Sequence, residues 1–210
     1  MNTLRFWLDN SRKISLPQSA LPCLTAIVLC IGQEGFVWWL ALPVLLGVCA
    51  AHLGMNLADD YFDYRHDPRL RSDLSSTGIR ARMEKCSYIR SGATTIHALG
   101  RAVVCFLAFA ALMGLTAFLA QGLLHGWQAA LGIVLYAVLG LLVGINYSGK
   151  PLELGFHGLG ELVIGLMFGP INMLGVQAAM TGCLFSWQML CMGIGVGCLV
   201  VNIVYVHSVM

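Results

Sequence analysis

Six stretches of about 20 apolar residues, separated by polar breaks, dominate the chain: about Ile14–Gly32, Phe36–Met55, Ala102–Gln121, Trp127–Ile145, Leu162–Met180 and Leu184–Val206. A helix rising 1.5 Å per residue needs ~20 such residues to cross a hydrocarbon core. The pattern therefore predicts an all-α fold, a polytopic transmembrane helix bundle with six spans present. Small residues recur inside the stretches, as at Gly47, Ala50 and Ala51 or at Gly193, Gly195 and Gly197. They let membrane helices approach closely. Trp38, Trp39, Trp127 and Trp187 fall near predicted span ends, where amphipathic rings prefer the interface. No internal repeat of 20 to 50 residues is present.

The polar positions orient the bundle. Arg5, Asp9, Arg12 and Lys13 precede the first span, a charged loop covering 59–101 separates spans two and three, and Lys150, Glu153 and Glu161 separate spans four and five. The other side receives Glu34 alone, so all 12 Lys and Arg lie on one side. By the retention of Lys and Arg inside, the expected location is integral in a bacterial cytoplasmic (inner) membrane, with the N-terminus in the cytoplasm. Composition agrees: 58% of residues are hydrophobic and 10% charged, at a mean hydropathy of +0.79. A soluble domain carries roughly 25% charged residues. No basic stripe with interleaved aromatics supports nucleic-acid binding. The opening Met-Asn-Thr-Leu-Arg-Phe-Trp-Leu-Asp-Asn-Ser-Arg-Lys is too polar and long for a signal-peptide n-region, so the first stretch reads as a permanent span. Of eight cysteines, seven lie in apolar stretches and only Cys86 in a polar loop; without a C-x-x-C pair they read as small hydrophobes.

One cluster breaks the bland pattern. Asn56-Leu-Ala-Asp-Asp-Tyr-Phe-Asp-Tyr-Arg-His-Asp67 stands where span two leaves the membrane. If the helix continues at about 100° per residue, Asn56, Asp59, Asp60, Asp63 and Asp67 share roughly one stripe. Two unit charges ~5 Å apart repel by about 3 kcal/mol at an effective dielectric near 20. Asp at a helix C-terminus also meets the unfavourable pole of the dipole. A divalent cation with oxygen ligands compensates both, and Mg²⁺ typically shares such carboxylates with a substrate phosphate. The plainer reading pairs these Asp with Arg65, Arg69 and Arg71 in a solvated network. An EF-hand fails for want of the Gly and terminal Glu at loop spacing.

Further candidates return to the same side. Arg90 stands just before span three, and Tyr147 and Lys150, in Asn146-Tyr-Ser-Gly-Lys-Pro151, end span four. Arg90 and Lys150 suit phosphate oxygens, and Tyr147 suits a cation over its ring. Each also reads as an interface anchor. Glu161 fits the start of a helix without further role. His52 and Asn172, inside spans, suit a cavity wall or a helix-to-helix hydrogen bond equally.

The string Asp59-Asp60-Tyr-Phe-Asp63, with Asp67 following, in this membrane setting resembles the first Asp motif of UbiA-type membrane prenyltransferases. Tyr147 and Lys150 resemble that family's element after span four. Asp59 stands where the family has Asn, and Asn56 lies one turn earlier. The resemblance implies nine spans, a second Asp motif after span six, and a single domain over 1–210 that is incomplete at its C-terminus. It implies Mg²⁺ as cofactor, held by Asp59, Asp60, Asp63 and Asp67, with Asp60, Asp63 and Asp67 catalytic and Asn56, Arg90, Tyr147 and Lys150 binding substrate. The partners it implies are a polyprenyl diphosphate, an aromatic acceptor (dihydroxynaphthoate of menaquinone synthesis favoured) and membrane lipid. Competing readings are a divalent-cation transporter, whose ionisable groups normally lie nearer the midplane, and an inactive or structural truncated membrane protein. The CDP-alcohol phosphotransferases need a D-G-x-x-A-R that this loop lacks.

Overall fold

The computed structural model of the protein describes residues 3–66 and 86–209, and every regular element in them is helical. In chain order these are α1 (Thr3–Asn10), α2 (Pro17–Cys30), α3 (Ala41–His66), α4 (Ser87–Arg90), α5 (Ile96–His125), α6 (Trp127–Ser148), α7 (Gly160–Leu166), α8 (Asn172–Thr181) and α9 (Trp187–Val209). Six segments among the described residues are long and apolar enough to cross a membrane: Lys13–Cys30, Trp38–Arg65, Ile96–His125, Trp127–Ser148, Gly160–Thr181 and Trp187–Val206. They match the six predicted stretches, and the chain is an integral membrane protein. The fifth span is composite. Pro170 has no N–H to continue an α-helical ladder, and the chain passes through a π-helical turn, Met167–Ile171, between α7 and α8.

Small residues set the helix spacing. At Gly54 a Cβ would lie 3.0 Å from Leu107 and 3.1 Å from Phe106, and at Gly47 it would lie 3.0 Å from Met113. These contacts let α3 and α5 pack backbone to side chain along most of their length. On the far side of the bundle the π-turn meets α9 through Gly169 and Gly193. A Cβ on Gly169 would strike the Gly193 carbonyl, and one on Gly193 would lie 2.7 Å from Pro170 Cα. Two apolar clusters result. The larger, around Cys23, Leu40, Met173 and Met180, fills the uncharged half, where the Trp38, Trp127 and Trp187 rings sit exposed at span ends. The smaller, around Leu57, Cys86, Tyr88, Ile89 and Leu99, closes the charged end.

At that charged end α1 lies across the bundle instead of spanning it. Phe6 and Trp7 pack edge-on against Tyr88 with ring centroids 6.2 and 6.3 Å away. Edge-to-face contacts at this separation are favourable beyond the area they bury. Through them the N-terminal helix, α4 and the end of α3 become one unit, and the candidate site lies inside it.

Candidate functional site

The helix of span two does continue: α3 runs unbroken to His66, so Asp59, Asp60 and Asp63 are helical residues at its charged end. Asp60 and Asp63 are buried, at 3% and 7% exposure. Buried carboxylates require counter-charges or donors, because transfer of an ion out of water is expensive. Asp60 and Asp59 obtain them from three separate elements. Arg12 Nη2 donates to Asp59 Oδ2 at 2.9 Å and also to Asp60 Oδ1. Tyr88 Oη, from α4, donates to Asp60 Oδ2 at 2.9 Å. Ser148 Oγ, from the last residue of α6, donates to Asp59 Oδ1. The Cys86 thiol, fully buried, donates to the Asp60 backbone carbonyl at 3.4 Å.

These contacts settle the protonation of the donors. Burial acts to lower the Arg12 pKa, but the adjacent charges of Asp60 and Asp59 outweigh it and hold the guanidinium well above its usual range. Burial, reinforced by the charge and hydrogen bond of Asp60, raises the Tyr88 phenol. Arg12 therefore stays a cation and Tyr88 a neutral donor.

The segment carrying Arg12 is itself held in place. Arg12 adopts a left-handed backbone, φ 57°, between α1 and a short 3₁₀ turn, Lys13–Ser15. Non-glycine residues rarely do so without compensating contacts. Here Asn56 Nδ2 donates to Ser11 O at 3.0 Å and to Ser15 Oγ at 3.1 Å, while Ser15 Oγ donates to Arg12 O at 2.8 Å. One turn deeper, the His52 ring nitrogens hydrogen-bond Ser19 Oγ at 2.7 Å and Ser15 Oγ at 3.2 Å. Asn172 Nδ2 reaches Ser19 O at 3.1 Å, and Phe168 packs on the imidazole with centroids 4.6 Å apart. His52 and Asn172 thus form helix-to-helix hydrogen bonds, one of the two roles expected for them.

The remaining predicted residues lie around this centre. Arg90 is half-buried at the end of α4, two residues from Tyr88. Tyr147 is half-buried, and its ring faces Gly155 and Gly160, where an added Cβ would lie 3.3 and 3.4 Å away. Lys150 is exposed just past α6. Asp67, with Arg69 and Arg71, lies outside the described residues. The sequence reading missed Arg12, Tyr88 and Ser148 as site residues. Arg12 had been counted only as a topology charge, while Tyr88 and Ser148 adjoin the named Arg90 and Tyr147.

The donor set suits a hard cation in kind, since every carboxylate and hydroxyl here offers oxygen. Yet among the described residues no three of His, Cys, Asp or Glu are arranged to hold a metal. Arg12 Nη2 bridges Asp59 Oδ2 and Asp60 Oδ1. The charge of Asp59 and Asp60 is compensated by the guanidinium of Arg12.

The chain is 29% identical over 175 residues to a 1,4-dihydroxy-2-naphthoate octaprenyltransferase of Mycobacterium tuberculosis, covering 81% of this chain and 52% of that protein. A protein of the same name from Mycobacterium leprae is 25% identical over 171 residues, with 81% and 52% covered. A 2-carboxy-1,4-naphthoquinone phytyltransferase of Synechocystis is 28% identical over 156 residues, with 73% and 43% covered. The chain spans about half the length of these curated relatives. No family model and no solved structure matches it. These similarities bear out the resemblance to membrane prenyltransferases read from the Asp motif.

Proposed function

We propose that this chain takes part in transferring a polyprenyl group from a polyprenyl diphosphate to an aromatic acceptor of the dihydroxynaphthoate type. The observation that carries the reading is the convergence of Arg12, Tyr88 and Ser148 on buried carboxylates at the charged end of α3. That position is where a lipid-borne diphosphate meets the membrane edge while its chain stays in hydrocarbon. The likeness to naphthoate prenyltransferases supports both donor and acceptor class.

In this reading Asp63 and Asp67 would hold Mg²⁺, which would supply positive charge to offset that of a departing diphosphate. Asp59 and Asp60 keep Arg12 charged and aimed, and Arg12 and Arg90 supply donors to phosphate oxygens. The allylic C–O bond breaks with its electron pair leaving on the diphosphate, and the electron-rich ring carbon forms the new C–C bond, then restores aromaticity by losing its proton, or its carboxylate as CO₂ where it bears one. Apolar walls of the bundle keep water from the allylic carbon until that bond forms.

The test is titration of the chain, reconstituted in phospholipid nanodiscs, with farnesyl diphosphate in the presence of Mg²⁺ or EDTA. Binding is expected with Mg²⁺, weak with EDTA, and reduced at least tenfold by Asp63→Asn, about the effect of removing one charged ligand. Binding indifferent to Mg²⁺ and to Asp63→Asn would overturn the reading. With 1,4-dihydroxy-2-naphthoate added, a prenylated product would then establish the acceptor.

A further inference from the structure

A second polar constellation opens on a different face of α3. Tyr61, Tyr64 and Arg65 of α3, with Ile96 and His97 from the first turn of α5, line a cavity of about 420 Å³. Tyr61 follows Asp60 by one residue, a rotation of about 100°, and Arg12, Asp59 and Asp60 are not among the residues lining this cavity. Arg65 Nη1 donates to Tyr61 Oη at 2.9 Å, and its guanidinium lies 5.6 Å from the Tyr61 ring centroid. The phenol thereby engages one of the five N–H donors of the guanidinium, with no other hydrogen bond from it among the described residues. Only two residues from Asp63, Arg65 nonetheless pairs with no carboxylate among the described residues. His97, exposed across the cavity, likewise has no carboxylate partner among them.

The depth of the site narrows its ligand. Trp38–Arg65 ends here and Ile96–His125 begins here, so the cavity sits at the membrane edge. A fixed guanidinium beside an imidazole and a phenol matches the oxygens of a phosphate. The Tyr61 ring and the Ile96 side chain offer apolar surface to whatever carries that phosphate. We propose that this cavity binds the phosphate of an anionic membrane lipid, with Arg65 as the charged donor and Tyr61 and His97 as its neighbours. Inorganic phosphate shares the chemistry but not the apolar contact or the position. The site stands apart from the aspartate chemistry and does not depend on it.

Native mass spectrometry of the purified chain with phosphatidylglycerol or phosphatidylcholine vesicles counts bound lipid directly. Phosphatidylglycerol is expected to bind preferentially, and Arg65→Ala to weaken it about fivefold, the worth of one cation near an anionic surface. His97→Ala, an exposed change on a capped helix, is expected to weaken it as well without altering helicity, and Arg65→Lys to retain part of the preference. Equal binding of the two lipids by the wild-type chain, or an undiminished phosphatidylglycerol preference in both Ala variants, would overturn the proposal. Protection by inorganic phosphate without any lipid preference would overturn the lipid assignment in favour of a soluble ligand.

Discussion

Arg12 is the residue on which the candidate site turns, and on the proposed function its effects on the two ligands should have opposite signs. A guanidinium beside Asp59 and Asp60 repels a divalent cation and attracts a diphosphate. Arg12→Ala should therefore raise Mg²⁺ affinity several-fold while lowering farnesyl diphosphate affinity, each of the order expected for one charge partly screened by water. Paired titrations on one preparation would read both. If the two affinities fell together, the variant would have lost the N-terminal segment and not a charge. Tyr88 permits a pH argument. Its folded pKa lies above the usual value near 10, so the stability it contributes is fully present below about pH 10 and declines as pH rises beyond that. Tyr88→Phe should lower the melting temperature at pH 8, and the gap from wild type should narrow above pH 10. The cluster of Asp59, Asp60 and Asp63 was legible in the sequence because like charges at helical spacing demand an explanation. Arg12 was not, because its contact spans 47 positions and depends on a left-handed turn that no local pattern announces.

Elements carry these residues, and the tie between α2 and α3 decides where Arg12 stands. The His52 imidazole, through Ser15 and Ser19, fixes the start of α2, and Ser15 in turn bonds the Arg12 carbonyl. Replacing His52 by Leu keeps roughly the volume and removes both hydrogen bonds, leaving buried hydroxyls to find partners. A loss of about 1–3 kcal/mol is expected. Amide exchange should quicken at Ser11–Ser15 more than in the α5–α6 hairpin. Uniform quickening would mean general loosening, and no change would remove His52 from the positioning role. The six elements themselves were readable because an apolar run of about 20 residues has few alternatives in a membrane. The π-turn at Pro170 was not, since what replaces the broken ladder depends on the neighbouring helix. There α9 presents Gly193 and Gly197 so that two backbones touch, and Gly193→Val should abolish stable folding, seen as lost thermal cooperativity.

At the scale of the molecule, charge and hydrophobic pattern divide the work. The uncharged half holds the larger core and is tied by hydrogen bonds to carbonyls at the end of α8, from Val37 N to Met180 O at 2.9 Å and from the Gln121 side chain to Ala179 O at 3.0 Å. The charged half has the smaller core and builds its cohesion from hydrogen bonds and ion pairs to Asp59 and the buried Asp60. On the proposed function, the polar end should face the compartment that supplies the diphosphate. Since the described Lys and Arg, from Arg5 and Arg12 to Arg101 and Lys150, lie at that end, retention of cations predicts that it faces the cytoplasm. Single cysteines at two exposed positions, Glu34→Cys and Ser91→Cys, in a chain whose native cysteines are replaced by Ser or Ala, test this directly. A membrane-impermeant maleimide applied to intact cells should label position 34, and position 91 only after permeabilisation. The reverse pattern would place the aspartate site on the outer surface, away from cytoplasmic prenyl diphosphate, and would remove the proposed function along with the orientation.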